Sequence, residues 1–326
     1  DSFDSLMKTL PYFGIFFKYG KPSVNEFSGG IKDSFLREAL RSVFDLTDFP
    51  MIGMLMTLAW MDRKTAGIPV GGSLDFAQAI EKRYQALGGE TRYKAKVVEI
   101  LVENNRAVGV KLEDGTEHKA DFVVSTADGH ATIFNLLKSK FIDEKIRTFY
   151  RDLHVFPPLI LVSLGVGRDM SAEPHTQVWL LDKPVKIGDS ARRRLFMKHY
   201  SYDASLAPPG KSIVQVMLDT SYDYWKKLAA DREKYDAEKK KIGESVVRQL
   251  AKRFPGIETQ VEMTDVATPM TYERYTGVWK GAWEGWLLTT KSMSLRMKKT
   301  LPGLEKFYMA GQWVAPGGGR PPAALS

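Results

Sequence analysis

Residues 307–326, FYMAGQWVAPGGGRPPAALS, place three glycines and three prolines directly behind a short apolar run. Residues 307–310 have the composition of a brief buried strand. Pro316, Gly317, Gly318 and Gly319 then impose an irregular backbone that another molecule can approach closely, before Pro321 and Pro322 can open a helix. Such a turn offers unpaired N–H groups and the positive end of a helix to something anionic or electron-rich. A second group is aromatic. Within ATPMTYERYTGVWKGAWEGW, Tyr272, Tyr275, Trp279, Trp283 and Trp286 recur at near-helical spacing, while Gly277, Gly281 and Gly285 weaken a helix and favour a hairpin or an irregular wall. Rings so placed are either core or the lining of a long apolar pocket.

Other chemistries lack their residues. The chain has no cysteine, which excludes disulfides, iron–sulfur clusters and thiolate zinc sites, so any redox chemistry must come from a cofactor. Five histidines, His118, His130, His154, His175 and His199, are scattered without ligand spacing, and no metal site is expected. No Ser-His-Asp, Cys-His or spaced-carboxylate set stands out. Gly165 and Gly167 in LGVGRDM suggest a dinucleotide turn, but Met170 occupies the third glycine position and the stretch reads as a strand end. No G-x-G-x-x-G occurs anywhere in the chain. Gly71 and Gly72, directly before a helix, either meet an anion or simply make a tight turn.

The elements that must position these residues follow from pattern. The 326 residues are 44% hydrophobic and 26% charged, an ordinary globular balance large enough for one large or two medium cores. Residues 1–60 read as mainly helical, with Ile31, Phe35, Leu36, Leu40 and Phe44 near helical spacing after the Gly29–Gly30 break. A helix follows from Ser73 as N-cap, with Asp75 in its first turn, a stripe of Phe76, Ile80, Tyr84 and Leu87, and Gly88 as its stop. Residues 95–120 read as a three-strand meander turning at Asn104–Asn105 and Asp114–Gly115. Phe122, Val123 and Val124 read as a strand covered on both faces, followed by the polar turn STADGH. Farther on, PPLILVSLGVG and SIVQVMLDT are strands, and Tyr235, Ile242, Val246, Leu250 and Phe254 mark a charged amphipathic helix stopped by Pro255–Gly256. The fold class is therefore α/β plus α+β, divided at residues 1–65, 66–130, 131–300 and 301–326.

A net charge of +8 suits nucleic acid, an anionic membrane surface or a plain basic protein. The clusters ARRR and EKKK lack interleaved aromatics and read as solvated faces, so nucleic acid is not an expected partner. No apolar run approaches the roughly 20 residues of a membrane span, and the N-terminal stretch has neither a basic n-region nor a cleavage site. A cytoplasmic, soluble or peripheral protein is expected. LPYFGIFFKYG and FPMIGMLMTLAWM, short and rich in aromatics or methionine, are either core or lipid-contacting segments.

Taken in order, GIPVGGSLDFAQAIEKRYQALGGE, KVVEI with GVKLEDGTEHKADFVVSTAD, TPMTYERYTG and the tail FYMAGQWVAPGGGRPPAALS resemble the phytoene desaturase and carotenoid isomerase-like branch of the FAD-dependent amine-oxidase superfamily, over residues 67–326. The resemblance implies a Rossmann-like FAD domain assembled from separated segments and a mixed-sheet substrate domain with an apolar tunnel for a polyene or lipid. By position it implies that the Val97 backbone meets the adenine, that Ala127 lies near the dinucleotide, that Gly311 and Gln312 stand by the ribityl phosphate, and that Gly317, Gly318 and Gly319 form the turn under the flavin ring. Tyr272, Tyr275, Trp279 and Trp283 would line the tunnel. The implied chemistry is hydride transfer between a substrate carbon and flavin N5, with redox change or isomerisation as outcome.

Two departures accompany the resemblance. Arg320 stands where many relatives carry an apolar residue, and the family's opening glycine-rich strand-turn-helix is not in this sequence. On that ground the chain is expected to be a piece of a longer enzyme that binds FAD weakly or not at all, with the open half of its FAD domain poorly ordered or covered by a neighbour. Two other readings stay open: a catalytically silent lipid-binding or membrane-surface module, and a flavin enzyme for a polar amine.

Overall fold

A computed structural model describes residues 10–43, 46–293, 295 and 297–318. Its largest unit is a five-stranded sheet of β5 (Leu159–Val166), β6 (Thr176–Ile187), β7 (Ser190–His199), β8 (Ser212–Asp219) and β9 (Val261–Ala267), ordered β6-β7-β8-β5-β9 with every pairing antiparallel. Gly165 and Gly167 do sit at a strand end, β5 stopping at Val166. One face of this sheet is sealed by helices. The helix Arg232–Arg253 buries Tyr235, Ile242, Val246 and Leu250, the stripe expected from sequence, and the shorter helix Tyr222–Leu228 buries Trp225 completely. Ile160, Val162, Leu164, Leu195, Val214 and Val216 face them at 1% exposure or less, so this core accounts for most of the unit's hydrophobic stabilisation.

The second unit is built from distant segments. Strands β1 (Val97–Glu103), β2 (Arg106–Leu112) and β3 (Glu117–Lys119) form the expected meander, and Asn104 and Asn105 both take positive φ, 49° and 60°, as a tight two-residue hairpin demands. β4 (Val123–Ser125) pairs in parallel with β10 (Phe307–Met309), Val123 opposite Phe307 and Ser125 opposite Met309. Parallel and antiparallel sheets thus coexist in the chain. Val123, Ser125, Phe307 and Met309 are buried with Ile100, Ile133, Leu304 and Val314, whereas Phe122, Val124 and Tyr308 are 51%, 59% and 42% exposed. The expected cover on both faces is absent among the described residues: one face packs on the meander and the segment after β4, and the other is open.

The helix Gly72–Ala86 corrects a second reading. Its N-cap is Gly71, at φ 81°, and Ser73 lies inside the first turn. The Gly71 N–H donates to Asp203 Oδ2 at 2.8 Å, which ties the start of this helix to a loop 132 residues away. The Gly72 N–H donates to the Pro69 carbonyl at 3.1 Å, so the tight turn is formed as well. The stripe Phe76, Ile80, Tyr84 and Leu87 is apolar as expected, yet between 43% and 69% exposed.

Four helices precede this: Phe13–Gly20, Val24–Gly29, Ser34–Ser42 and Met51–Asp62. A capping box at Ser23 and Glu26 starts the second. The buried centre is Val24, Met51 and Met54. Leu10, Phe13, Phe16 and Phe17 are 42% to 65% exposed, as are Trp60 and Met61 at the end of the fourth helix. Of the predicted stripe, Phe35 and Leu36 are exposed and Phe44 lies outside the described residues.

Candidate flavin-facing cleft

The parallel pairing of β4 with β10 brings two loops side by side at the strands' C-terminal ends, where open α/β sheets bind ligands. The Ala310 N–H donates to the Ser125 carbonyl at 3.0 Å and extends the pairing one step into the loops. Between them opens a cleft of about 470 Å³ lined by Thr126, Ala127, Asp128, Tyr272, Thr276, Val278, Trp283, Gly311, Gln312 and Trp313. That volume falls in the range of about 300–1,000 Å³ typical of small-molecule sites. A larger groove, about 660 Å³, runs along the helix Arg232–Arg253 and β9 and is lined by Lys239, Lys240, Glu244, Arg248, Glu258 and Asp265 among others.

Asp128 fastens the loop after β4 to the aromatic wall. Its Oδ1 accepts from the Ala131 N–H at 2.8 Å and its Oδ2 from the Trp279 N–H at 2.9 Å. Burial raises its carboxyl above the usual carboxylate range, against the opposing pull of those N–H bonds. Behind the cleft the rings interlock. His130 stacks on Trp279 at 4.8 Å with planes 5° apart, Tyr150 meets Trp286 edge-on at 4.9 Å, and Trp286 meets Trp313 edge-on at 5.1 Å. Trp286 Nε1–H donates to the Trp313 carbonyl at 3.0 Å. Burial in this box lowers the His130 imidazole, with Lys280 adding to the effect, and pushes the Tyr150 hydroxyl well up.

The cleft gathers five of the residues singled out from sequence: Ala127, Gly311, Gln312, Tyr272 and Trp283. Gly317 and Gly318 lie against the aromatic segment, Gly317 through its N–H to the Trp286 carbonyl at 3.1 Å. Gly318 has φ 63°, and a Cβ there would fall 2.7 Å from Glu284 Oε2 and 2.8 Å from Phe156 Cε2. Gly319, Arg320 and the two following prolines lie outside the described residues. Trp279 stands in the box behind the wall, and Val97 begins β1 opposite Leu112; neither lines the cleft.

Tyr275 lies outside this cleft. It is 72% exposed, in the last turn of the helix Pro269–Thr276, which Gly277 ends at φ 66°. With the helix stopped there, the later tryptophans leave its face, and Tyr275 instead carries the Arg274 guanidinium over its ring at 4.4 Å.

Three residues that matter here were not singled out from sequence. Asp128 and Trp313 directly follow residues that were, and adjacency was their only signal. Glu284 is the acid within the aromatic window. It is half-buried, and burial raises its carboxyl to about 7. The cleft also holds an orphan: Trp313 Nε1–H is a buried donor with no acceptor. A planar ligand edged with carbonyl and ring-nitrogen acceptors suits this wall, since it would satisfy that N–H and lie against the loops that carry Ala127 and Gly311. The residues therefore fit a flavin.

Residues 17–326 match the model of the flavin containing amine oxidoreductase family. The chain belongs to this family. Its relatives include carotenoid desaturases and isomerases: a chloroplastic prolycopene isomerase of Arabidopsis thaliana is 28% identical over 83% of this chain and 46% of its own length. A neurosporene-forming phytoene desaturase of Rhodobacter capsulatus is 26% identical over 97% of this chain and 63% of its own. The chain spans about half the length of the isomerases it matches. An oxidoreductase of Methanosarcina mazei has the same fold, with a TM-score of 0.62 over 98% of this chain and 71% of its own, at 19% identity.

Proposed function

We propose that this family member is the flavin-facing part of an FAD-dependent oxidoreductase of the desaturase or isomerase kind, acting on a long apolar polyene or lipid. The observation that carries this reading is the parallel β4/β10 pair, which joins Ala127 to Gly311 and Gln312 across one cleft with an aromatic wall. Bound there, the flavin would supply a hydride acceptor or donor for a substrate carbon. Ala127, Gly311 and Gln312 would hold it from the loops, Gly317, Gly318 and Gly319 would bring backbone close to its ring, and the Trp313 indole N–H would donate to its polar edge. Tyr272 and Trp283 would present apolar faces to the substrate and keep water out. Trp279 would act from behind, by stacking on His130 and holding the wall in place. The assignment of Val97 to the adenine rests on the resemblance alone.

No helix among the described residues is long and apolar enough to cross a membrane. The exposed Phe13, Phe16 and Phe17 near the first helix's surface favour contact with a lipid phase from which an apolar substrate would be drawn. Titration of the purified protein with riboflavin and with FAD tests the reading at the ring half and the whole cofactor. Saturable quenching of tryptophan fluorescence by either is expected, weakened in Gly311→Trp. No quenching by either one would overturn it.

A further inference from the structure

The helix Glu144–Asp152 turns one stripe inward. Ile146, Phe149 and Tyr150 fall at i, i+3 and i+4, on one side of the helix, while Glu144, Lys145, Arg147 and Arg151 take the rest of its surface. Ile146 and Tyr150 pack on the core that buries one face of β4 and β10. The packing is incomplete. Between this helix and the segment 297–302 lies a chamber of about 160 Å³, which shares Trp313 alone with the cleft.

Burial divides the lining in two. Ile133, Leu301, Met309, Trp313 and Val314 are each 6% exposed or less and make the floor, and Ile146 and Phe149 close one side. The Tyr150 hydroxyl lies against the loop after β4, where a Cβ on Gly129 would fall 2.5 Å from it. Asp143, Lys145, Lys298 and Thr300, all exposed, form the rim. Asp143 is engaged: its Oδ1 accepts the Ile146 N–H at 2.8 Å and caps its own helix. Lys145 lies 5.6 Å from the centre of the Phe149 ring, and Lys298 has no hydrogen bond, ion pair or ring contact among the described residues. The rim thus sets two cations against one acid already in use, above a floor that carries no charge.

We propose that this chamber binds a small apolar carboxylate, with a ring or chain of about six carbons on the floor and the carboxylate held at the rim by Lys145 and Lys298. Volume sets the size, because an apolar cavity of about 150 Å³ accepts benzene. Charge sets the head group. The floor supplies most of the affinity, since burial of apolar area is not screened by solvent, whereas the exposed lysines add preference for an anion over a neutral molecule of the same shape. The inference is independent of the flavin reading: apart from Trp313, no residue of the cleft takes part.

Met297 and Met309 both line the chamber, so their methyl groups report on it directly. The test is a magnetic-resonance titration of protein isotope-labelled at its methionine methyls, with benzoate, hexanoate and toluene as probes. Benzoate or hexanoate should shift the Met297 and Met309 signals saturably, with a dissociation constant of about 1 mM or below. Met197, in the core of the five-stranded unit, should not move. The tighter of the two carboxylates tells a ring from a chain. Lys145→Gln combined with Lys298→Gln should weaken that carboxylate about three- to tenfold and leave toluene within about twofold. Ile146→Trp, which fills the chamber, should abolish the shifts while the melting transition is kept. No shift at Met297 and Met309 with either carboxylate would overturn the proposal, and that measurement needs no variant. So would wild-type binding in Ile146→Trp, or an equal loss of toluene and carboxylate when the lysines are exchanged.

Discussion

The five-stranded sheet and the β4/β10 pair are both made of apolar strands, yet they end up in opposite states. In the first, Ile160, Val162, Leu195, Met197, Val214 and Val216 are fully buried against helices. In the second, every other residue of each strand is buried while Val124 and Tyr308 stand exposed, and an indole N–H beside the pair has no acceptor. Each unit keeps buried polar atoms without a partner, Arg192 Nε on β7 and Gln260 Oε1 before β9 in the one and Trp313 Nε1 in the other. What separates them is the apolar face that β4 and β10 leave open, as a surface that receives another molecule must.

Four substitutions test that contrast. Trp225→Ala should be the most damaging, because it empties a fully buried site among Tyr224, Tyr235 and the sheet; a loss of about 3–5 kcal/mol in chemical denaturation is expected, and a loss under 1 kcal/mol would break the picture of a closed core. Asp128→Ala should follow, at about 1–3 kcal/mol for each N–H left without an acceptor, at Ala131 and Trp279. It should also weaken riboflavin quenching, since the loop and the wall are no longer tied. Gly318→Ala should cost about 1–3 kcal/mol, through positive φ and contact with Glu284 and Phe156, with a comparable drop in flavin affinity read by the same quenching. Val124→Ser should change stability by no more than about 0.5 kcal/mol; a substantial loss would show that the open face is covered in solution.

The comparison also separates what could be read locally from what could not. The helix stripe Tyr235, Ile242, Val246 and Leu250, the meander with its two asparagines in the turn, and the strand end at Gly165 are patterns of spacing and turn chemistry, and each was met. The glycine tail and the aromatic window were visible as unusual composition, and Gly311, Gln312, Tyr272 and Trp283 do meet at the cleft. The break that Gly277 announced in the aromatic window is where the helix stops, and Tyr275, in its last turn, lies outside the cleft. Ser73 was misread because the helix begins one residue earlier, behind Gly71 at φ 81°.

Sequence alone determined the element types, the absence of thiol chemistry and a tail built for close approach, since these depend on residue identity and on neighbours a few positions away. Tertiary structure decided that Ser125 and Met309 lie opposite each other, that a distant carboxylate accepts the Gly71 N–H, and that Glu284 is lifted to about 7. Strand register and desolvation are set by chain segments far apart in sequence, and no local pattern encodes which of them will arrive.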